Sequence, residues 1–459
     1  MISELGFDIP VDWKVLNLVD VASEEKKSII SGPFGSSISS KYFIDEGVPV
    51  IRGNNLSVDI KKFNDEGFVF ISREKAEELK AWALPGDIVF TAAGTLGQIN
   101  IIPANPRFPE YIISNKQLRV RLNQKFIVPM FAYYWLKNKP MVSHIINQNT
   151  GSTVPLINLT ILKKLPIALP SINEQKHIVE ILESLDKKIE LNNSINKNLE
   201  ELAQALFKRW FVDFEFPNES GETYKSSGGE LGESELGLIP KGWRVDKIEN
   251  CTKLVSRGIA PKYDDNSDKL VINQKCIRDG LLNKSLARRH KTKVSDEKHV
   301  QFGDILVNST GVGTLGRVTQ VYEQLINYTV DSHVTIIRPN LKNGLGYLGC
   351  LLKGMQHNFE HASTGTTGQT ELSREVIKQM KIVIPENEIV KRFSDIYHSL
   401  FEQIIMNQEE NSRLIEIRDS LLPKLVSGEI RVPINEKYLH SQIFDLPLAV
   451  ENKAHYSTT

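Results

Sequence analysis

Apolar side chains step by four and three along Ile178, Leu182, Leu185, Ile189, Leu199, Ala203, Leu206 and Trp210. A seam with a 3.5-residue period predicts a helix that winds along a partner. Asn192 and Asn196 interrupt that seam. Advancing every position by 215 gives Phe393, Tyr397, Leu400, Ile404, Asn407, Asn411, Leu414, Arg418, Leu421 and Leu425. The seam recurs, both asparagines land on asparagines, and Ile417 stands beside the one charged exception. At about 1.5 Å per residue, each seam predicts a helix about 50 Å long. Buried asparagines at seam positions cost stability and specify register. Antiparallel pairing of the two helices would bring Asn192 and Asn196 alongside Asn411 and Asn407. Parallel pairing would align them as well, and two amphipathic helices, each packed on its own domain, are the plainer alternative.

Before each seam the pattern changes. Short β-rich runs such as VPVIRG, GDIVFTA and INIIP alternate with Gly, Asn and Pro turns, and helical stretches fall around Ser72 to Trp82 and Pro129 to Asn138. The prediction is α+β. These segments also repeat. GTLG stands at Gly94–Gly97 and again at Gly313–Gly316. IPVDWKV (Ile9 to Val15) is echoed by IPKGWRV (Ile239 to Val245), and GDIVF (from Gly86) by GDILV (from Gly303). TGST (from Thr150) is echoed by TGTT (from Thr364), and KLPIALP (from Lys164) by MKIVIP (from Met380). The order never changes, so the chain is a tandem duplication of a unit of roughly 215 residues. The predicted division is a first domain over 1–170, a long helix over 171–216, a linker over 217–238 rich in Gly, Ser and Glu, a second domain over 239–385, a second long helix over 386–428 and a tail over 429–459.

Composition narrows the function classes. Among 459 residues the formal net charge is zero, so no global basic field announces nucleic acid. The start carries no basic and apolar leader pattern, and the run Phe126 to Leu136 is too short to span a bilayer. Three distant cysteines imply a reducing compartment without disulfides or a zinc site, and the ten histidines show no HExxH-like pair. The expectation is a cytoplasmic, metal-free protein with no membrane role. No GK[ST], no GxGxxG opening a βαβ unit, no [DN]PP[FY] and no PD dipeptide occurs. Glu174 and Lys176 form a stray E-x-K, read as a solvated helix face. A scaffold is duplicated here and an active site is not, which favours recognition over catalysis.

Taken together, IP-x-x-W, GDI(V/L), GTLG and TG(S/T)T, followed by INEQKHIVEILESLDKKIE and an asparagine-bearing heptad helix, all in duplicate, closely resemble the specificity subunit of type I restriction-modification systems. The resemblance runs from Ile9 to about Arg431 and is densest over Pro155 to Phe211. The second helix departs from it by lacking the EQ pair at its entrance. The resemblance implies two tandem target recognition domains, each followed by a long helix, the helices pairing as an antiparallel coiled coil. Each domain would read one half of a bipartite, asymmetric site in double-stranded DNA. The helices would set the distance between the halves and dock two modification (methyltransferase) subunits. S-adenosylmethionine would reside in those subunits, which methylate adenine N6, and ATP and Mg in a restriction subunit that can join. This chain would bind no cofactor and be non-catalytic. Two rivals stand beside this reading: a duplicated coiled-coil scaffold binding protein or glycan ligands, and a self-contained modifying enzyme with an unrecognised site.

Base readout calls for Arg, Lys, Asn and Gln side chains that form paired hydrogen bonds in the major groove. After a strand, IRGNN offers Arg52, Asn54 and Asn55, and at the equivalent place INQK offers Asn273, Gln274 and Lys275. Different polar residues at repeat-equivalent positions suit two readers of two half-sites; ordinary loop polarity accounts for them equally. ISNKQLRVR offers Lys116, Gln117, Arg119 and Arg121, with the last three on one strand face, which suits a DNA-facing or a plain surface role equally. LARRHKTK, with Arg288, Arg289, His290, Lys291 and Lys293 and no intervening acid, suits phosphate contact, and a solvated loop accounts for it equally. The GTLG turns read as structural, with Thr95 and Thr314 as outside candidates. Ser31 to Ser40 reads as either a backbone-contacting loop or a connector.

Overall fold

The computed structural model describes residues 6–57, 63–151, 154–340, 345–363 and 371–432. The chain divides into two compact units, 1–189 with 412–459, and 190–411. The TGTT repeat and the tail beyond 432 lie outside the described residues, as do Ser152 and Thr153 of TGST.

In the first unit, runs of β-branched residues become short strands, of which the central ones are fully buried. Val48–Ile51 and Tyr111–Ile113 pair in parallel, flanked by Val69–Ile71 and Trp82–Ala83. A second sheet, antiparallel throughout, is ordered Ile29–Ser31, Gln117–Val120, Ile88–Thr91, Ile99–Ile101. Strand Lys14–Asn17 pairs with Pro166–Leu169, so the start of the domain lies against the strand that feeds the first long helix. Helix Pro129–Lys137 opens on Pro129, whose missing N–H costs nothing at that position, and buries Phe131 and Trp135.

The second unit repeats this topology. Thr252–Arg257, Val334–Pro339, Ile305–Asn308 and Val318–Gln320 form the antiparallel sheet in the same order. Leu270–Ile272 pairs in parallel with Tyr328–Val330, and Arg244–Lys247 pairs with Lys381–Ile384. Composition suggested a linker over 217–238, and here the structure differs. Leu231–Ser234 and Gly237–Pro240 form a hairpin, and Tyr224 stacks on Phe216, which stacks on Trp243. One aromatic side chain, with Trp243 waiting beside it, anchors a stretch whose composition is otherwise that of a linker.

The long helices span Ile172–Phe207 and Asn387–Ser427, the first ending in a π turn over Lys208–Val212. Their pairing is antiparallel. Within the second unit, Asn192 Nδ2 donates to Asn411 Oδ1 (2.9 Å) and Asn407 Nδ2 donates to Asn196 Oδ1 (2.8 Å). Within the first, Arg418 reaches Asp186 at 3.1 Å, and Asp186 also accepts the Tyr134 hydroxyl at 2.7 Å. Arg418 therefore holds its seam position through a largely buried ion pair, while the neighbouring Ile417 is exposed. Glu174 is not on a solvated face. It is buried and receives Arg431 Nε at 2.7 Å, with Arg431 also bridging to Asp12. Gln175 is buried too, accepting the Val128 N–H and donating to the Phe126 and Pro170 carbonyls. The EQ pair thus ties the helix entrance to the first domain by side-chain bonds that the second helix, lacking it, does not repeat.

Candidate nucleic-acid interface

Between the two sheets of the first domain lies an open cleft of about 460 Å³. Its lip combines Arg52, Thr95, Asn115 and Lys116 with the glycine backbone of Gly53 and Gly94, and Phe43 and Ile38 lie in its wall. The Arg52 turn and the first GTLG turn, distant in sequence, thereby reach one surface. Arg52 Nε is buried without a hydrogen-bond partner among the described residues, and the guanidinium lies 6.0 Å from the Phe43 ring centre. Lys116 and Asn115 are exposed on the turn between two strands, and Asn54 is exposed beside Arg52. An unpaired guanidinium on an aromatic face, with an ammonium across the cleft, can accept a base edge or a phosphate oxygen. Part of the Ser31–Ser40 loop, Ile38, lines the same cleft.

Of the other residues expected on this surface, Gln117 also lines the cleft, and the rest are bonded within the protein. Asn55 is 0% exposed; its Oδ1 accepts the Arg52 N–H and its Nδ2 donates to the Asn64 and Glu66 carbonyls. Its capacity is consumed in closing the turn. Gln117 is buried and receives the Ser114 hydroxyl. Arg119 is 3% exposed and donates to the Trp82 and Ser28 carbonyls. Burial lowers its pKa, and nearby Asp87 opposes that shift. Arg121 forks onto both Asp87 oxygens at 2.9 Å and also reaches Glu25. Arg119 and Arg121 thus spend their donors on carbonyls and carboxylates within the protein.

In the second domain, the turn after Leu270–Ile272 matches the Arg52 turn. Asn273 caps it, accepting from Lys275 N and donating to the Leu286 carbonyl, while Cys276 takes the buried place of Asn55. Gln274 donates to Thr310 Oγ1 (2.7 Å), which is 2.7 Å from His333 Nδ1. Lys275 is exposed. His333 and Thr310 were invisible to sequence reasoning. Superposing the repeats on the Arg121–Asp87 and Arg338–Asp304 pairs would have found them, since His333 then falls where Lys116 stands. Arg338 forks onto Asp304 at 2.8 Å as Arg121 does onto Asp87. Burial pushes the Asp304 carboxyl up, opposed by the Arg338 bonds, and burial likewise raises Asp331 beside His333.

The basic run LARRHKTK divides. Arg288 stacks on Tyr263 (3.4 Å) and Arg289 donates to the Ser267 carbonyl. Lys291 lies 3.4 Å from Asp264, an acid supplied by the fold though absent from the run. Lys293 is exposed. His290 is 1% exposed, and burial lowers its pKa, so it cannot meet a phosphate.

The last glycine of each GTLG has φ near +80 to +90 and faces a helix. A Cβ on Gly97 would lie 3.1 Å from Val142 and Ile146, and one on Gly316 would lie 2.9 Å from the Gln356 carbonyl. Thr314 bonds back into its own turn, whereas Thr95 is exposed on the cleft. Among the described residues no group of three or more His, Cys, Asp or Glu could hold a metal. Contrary to the expectation of no histidine pair, His357 and His361 stand one helical turn apart with Nε2 atoms 2.9 Å apart.

Comparison with known proteins adds to this geometry. Residues 10–201 and 240–416 match the type I restriction modification DNA specificity domain. The type I restriction enzyme MjaIX specificity subunit of Methanocaldococcus jannaschii is 29% identical over 437 residues, covering 92% of this chain and 95% of that one. The HindI specificity subunit of Haemophilus influenzae is 24% identical, covering 91% and 100%. The crystal structure of a type I restriction-modification S subunit from M. genitalium shares the fold with a TM-score of 0.55 at 15% identity, over 91% of this chain and 96% of that one.

Proposed function

Because the chain belongs to the type I restriction modification DNA specificity domain family, we propose that the Arg52–Lys116 cleft reads one half of a bipartite DNA site and the Gln274–His333 surface reads the other. The carrying observation is Arg52 Nε, without a hydrogen-bond partner among the described residues, in a cleft that also holds Thr95 and Lys116. Arg supplies the two parallel donors that suit guanine O6 and N7, whereas Lys116 serves as a point charge for phosphate. The second surface offers a different set, with an amide, an imidazole and Lys275, which suits a different half-site. Zero net charge is tolerable where partner subunits share the phosphate contacts.

The paired helices are the docking surface for two modification subunits, which bring S-adenosylmethionine and the methyl transfer to adenine N6. A restriction subunit using ATP and Mg is a further partner, and the assembly works in the cytoplasm. This chain recognises and does not catalyse. The test is methylation by the assembled complex on a library of duplexes. Arg52→Ala should relax specificity at one position of one half-site, at a cost of about 1–3 kcal/mol, while Lys116→Ala should weaken all sequences and reduce the salt slope by about one. Unaltered preference in Arg52→Ala would remove the cleft from the reading surface.

A further inference from the structure

The second unit contains a cavity that DNA reading does not use. It has a volume of about 230 Å³, several times the ~30 Å³ share of one water. Glu200 and Phe207 of the first long helix, Cys350 and Lys353 of helix Leu345–Gly354, and Tyr397 and Phe401 of the second long helix line it. Two opposite charges there attract each other but make no hydrogen bond at Glu200 Oε1 or Lys353 Nζ among the described residues. Glu200 Oε1 is buried with no hydrogen bond among the described residues. Lys353 makes no hydrogen bond or ion pair among them; its ammonium lies 4.9 Å from the Phe401 ring centre and 5.9 Å from that of Tyr322. Asp279, also on the rim, is exposed and lies beside Arg278.

The repeat supplies an internal control. Lys137 ends the equivalent helix of the first domain, and its ammonium donates to the Ser57 and Ile99 carbonyls at 2.9 and 3.3 Å. The second copy keeps the lysine, drops those bonds and opens a cavity with a carboxylate in its wall. Buried charge without a hydrogen-bond partner is costly unless something completes it.

We propose that this cavity binds a small zwitterion of the α-amino-acid class, its carboxylate on Lys353 Nζ, its ammonium on Glu200, and its carbon frame against Phe207 and Phe401. A lone anion would face Glu200 and a lone cation would face Lys353, whereas a molecule carrying both charges can bond to both walls. In the unliganded chain, burial lowers the Lys353 pKa and raises that of Glu200. A zwitterion favours the charged form of each. The inference is independent of the DNA reading.

Calorimetric titration of the full chain with each protein amino acid at millimolar concentration tests it, with acetate and methylammonium as single-charge probes. At least one amino acid should bind saturably and both single-charge probes should fail. Lys353→Met and the isosteric Glu200→Gln should each weaken binding about tenfold or more, as expected for one charge-assisted bond. Lys125→Ala, at an exposed lysine of the other unit, should leave it unchanged. No binding by any amino acid, equal binding of acetate, or undiminished affinity in both cavity variants would overturn the proposal and leave only water in the cavity.

Discussion

At the residue scale, position in the fold separates readers from props among side chains of one chemical type. Arg52 and Arg119 are both arginines near strands, yet one has an Nε without a partner among the described residues at a cleft and the other donates to the Trp82 and Ser28 carbonyls. Asp304→Asn should destabilise the second unit by about 3–5 kcal/mol, since it leaves Arg338 without its carboxylate; urea unfolding measures this, and a loss below 1 kcal/mol would contradict it. Gly97→Ala and Gly316→Ala should cost about 1–3 kcal/mol each, through positive φ and helix contact together. The Asp12 carboxyl sits below its ordinary value because Arg431 donates to it. That contact contributes stability above the unfolded pKa and loses it as pH falls through the folded one. In Arg431→Met, NMR titration should find Asp12 back near the ordinary value; an unmoved titration would mean Arg431 is not the cause.

At the element scale, the two long helices carry the clearest sequence signal and the least sequence-visible detail. The heptad seam and its asparagines were legible because a 3.5-residue period survives without tertiary information. The partners were not: Arg418 on Asp186 and Glu174 on Arg431 join residues far apart in the chain. Asn196→Leu alone should destabilise by about 1–3 kcal/mol, because Asn407 Nδ2 loses its acceptor inside the seam. The double variant with Asn407→Leu should recover that loss or exceed wild type in stability, at the expense of register. Thermal unfolding of both variants decides it, and equal losses in single and double would show that the asparagines do not act as a pair.

For the whole molecule, duplication is the governing fact. Each unit has the same antiparallel sheet order, the same parallel strand pair and the same Arg–Asp fork. One scaffold, copied, lets two surfaces diverge at the Arg52 and Asn273 turns while the sheets beneath stay put. Deleting one heptad from each helix should alter the preferred spacer between half-sites or abolish assembly. Genome-wide methylation mapping reads this directly, and intact assembly with an unchanged site would rule out a spacer role.

By itself the sequence determined the duplication, the α+β character, the helix pair with its asparagine layers and the family. Each of these is written in local periodicity or in a repeated order of short motifs, and both survive without knowledge of distant contacts. Only the tertiary structure decided which way the helices run, that 217–238 holds a hairpin, and which polar residues remain exposed. Those depend on whether a side chain meets a carbonyl or carboxylate brought in from elsewhere. Asn55, Gln117, Arg119 and His290 all meet one or are enclosed, whereas Arg52 and Lys116 stay on the cleft. Burial is a property of the folded surroundings, and a polar letter in a sequence does not carry it.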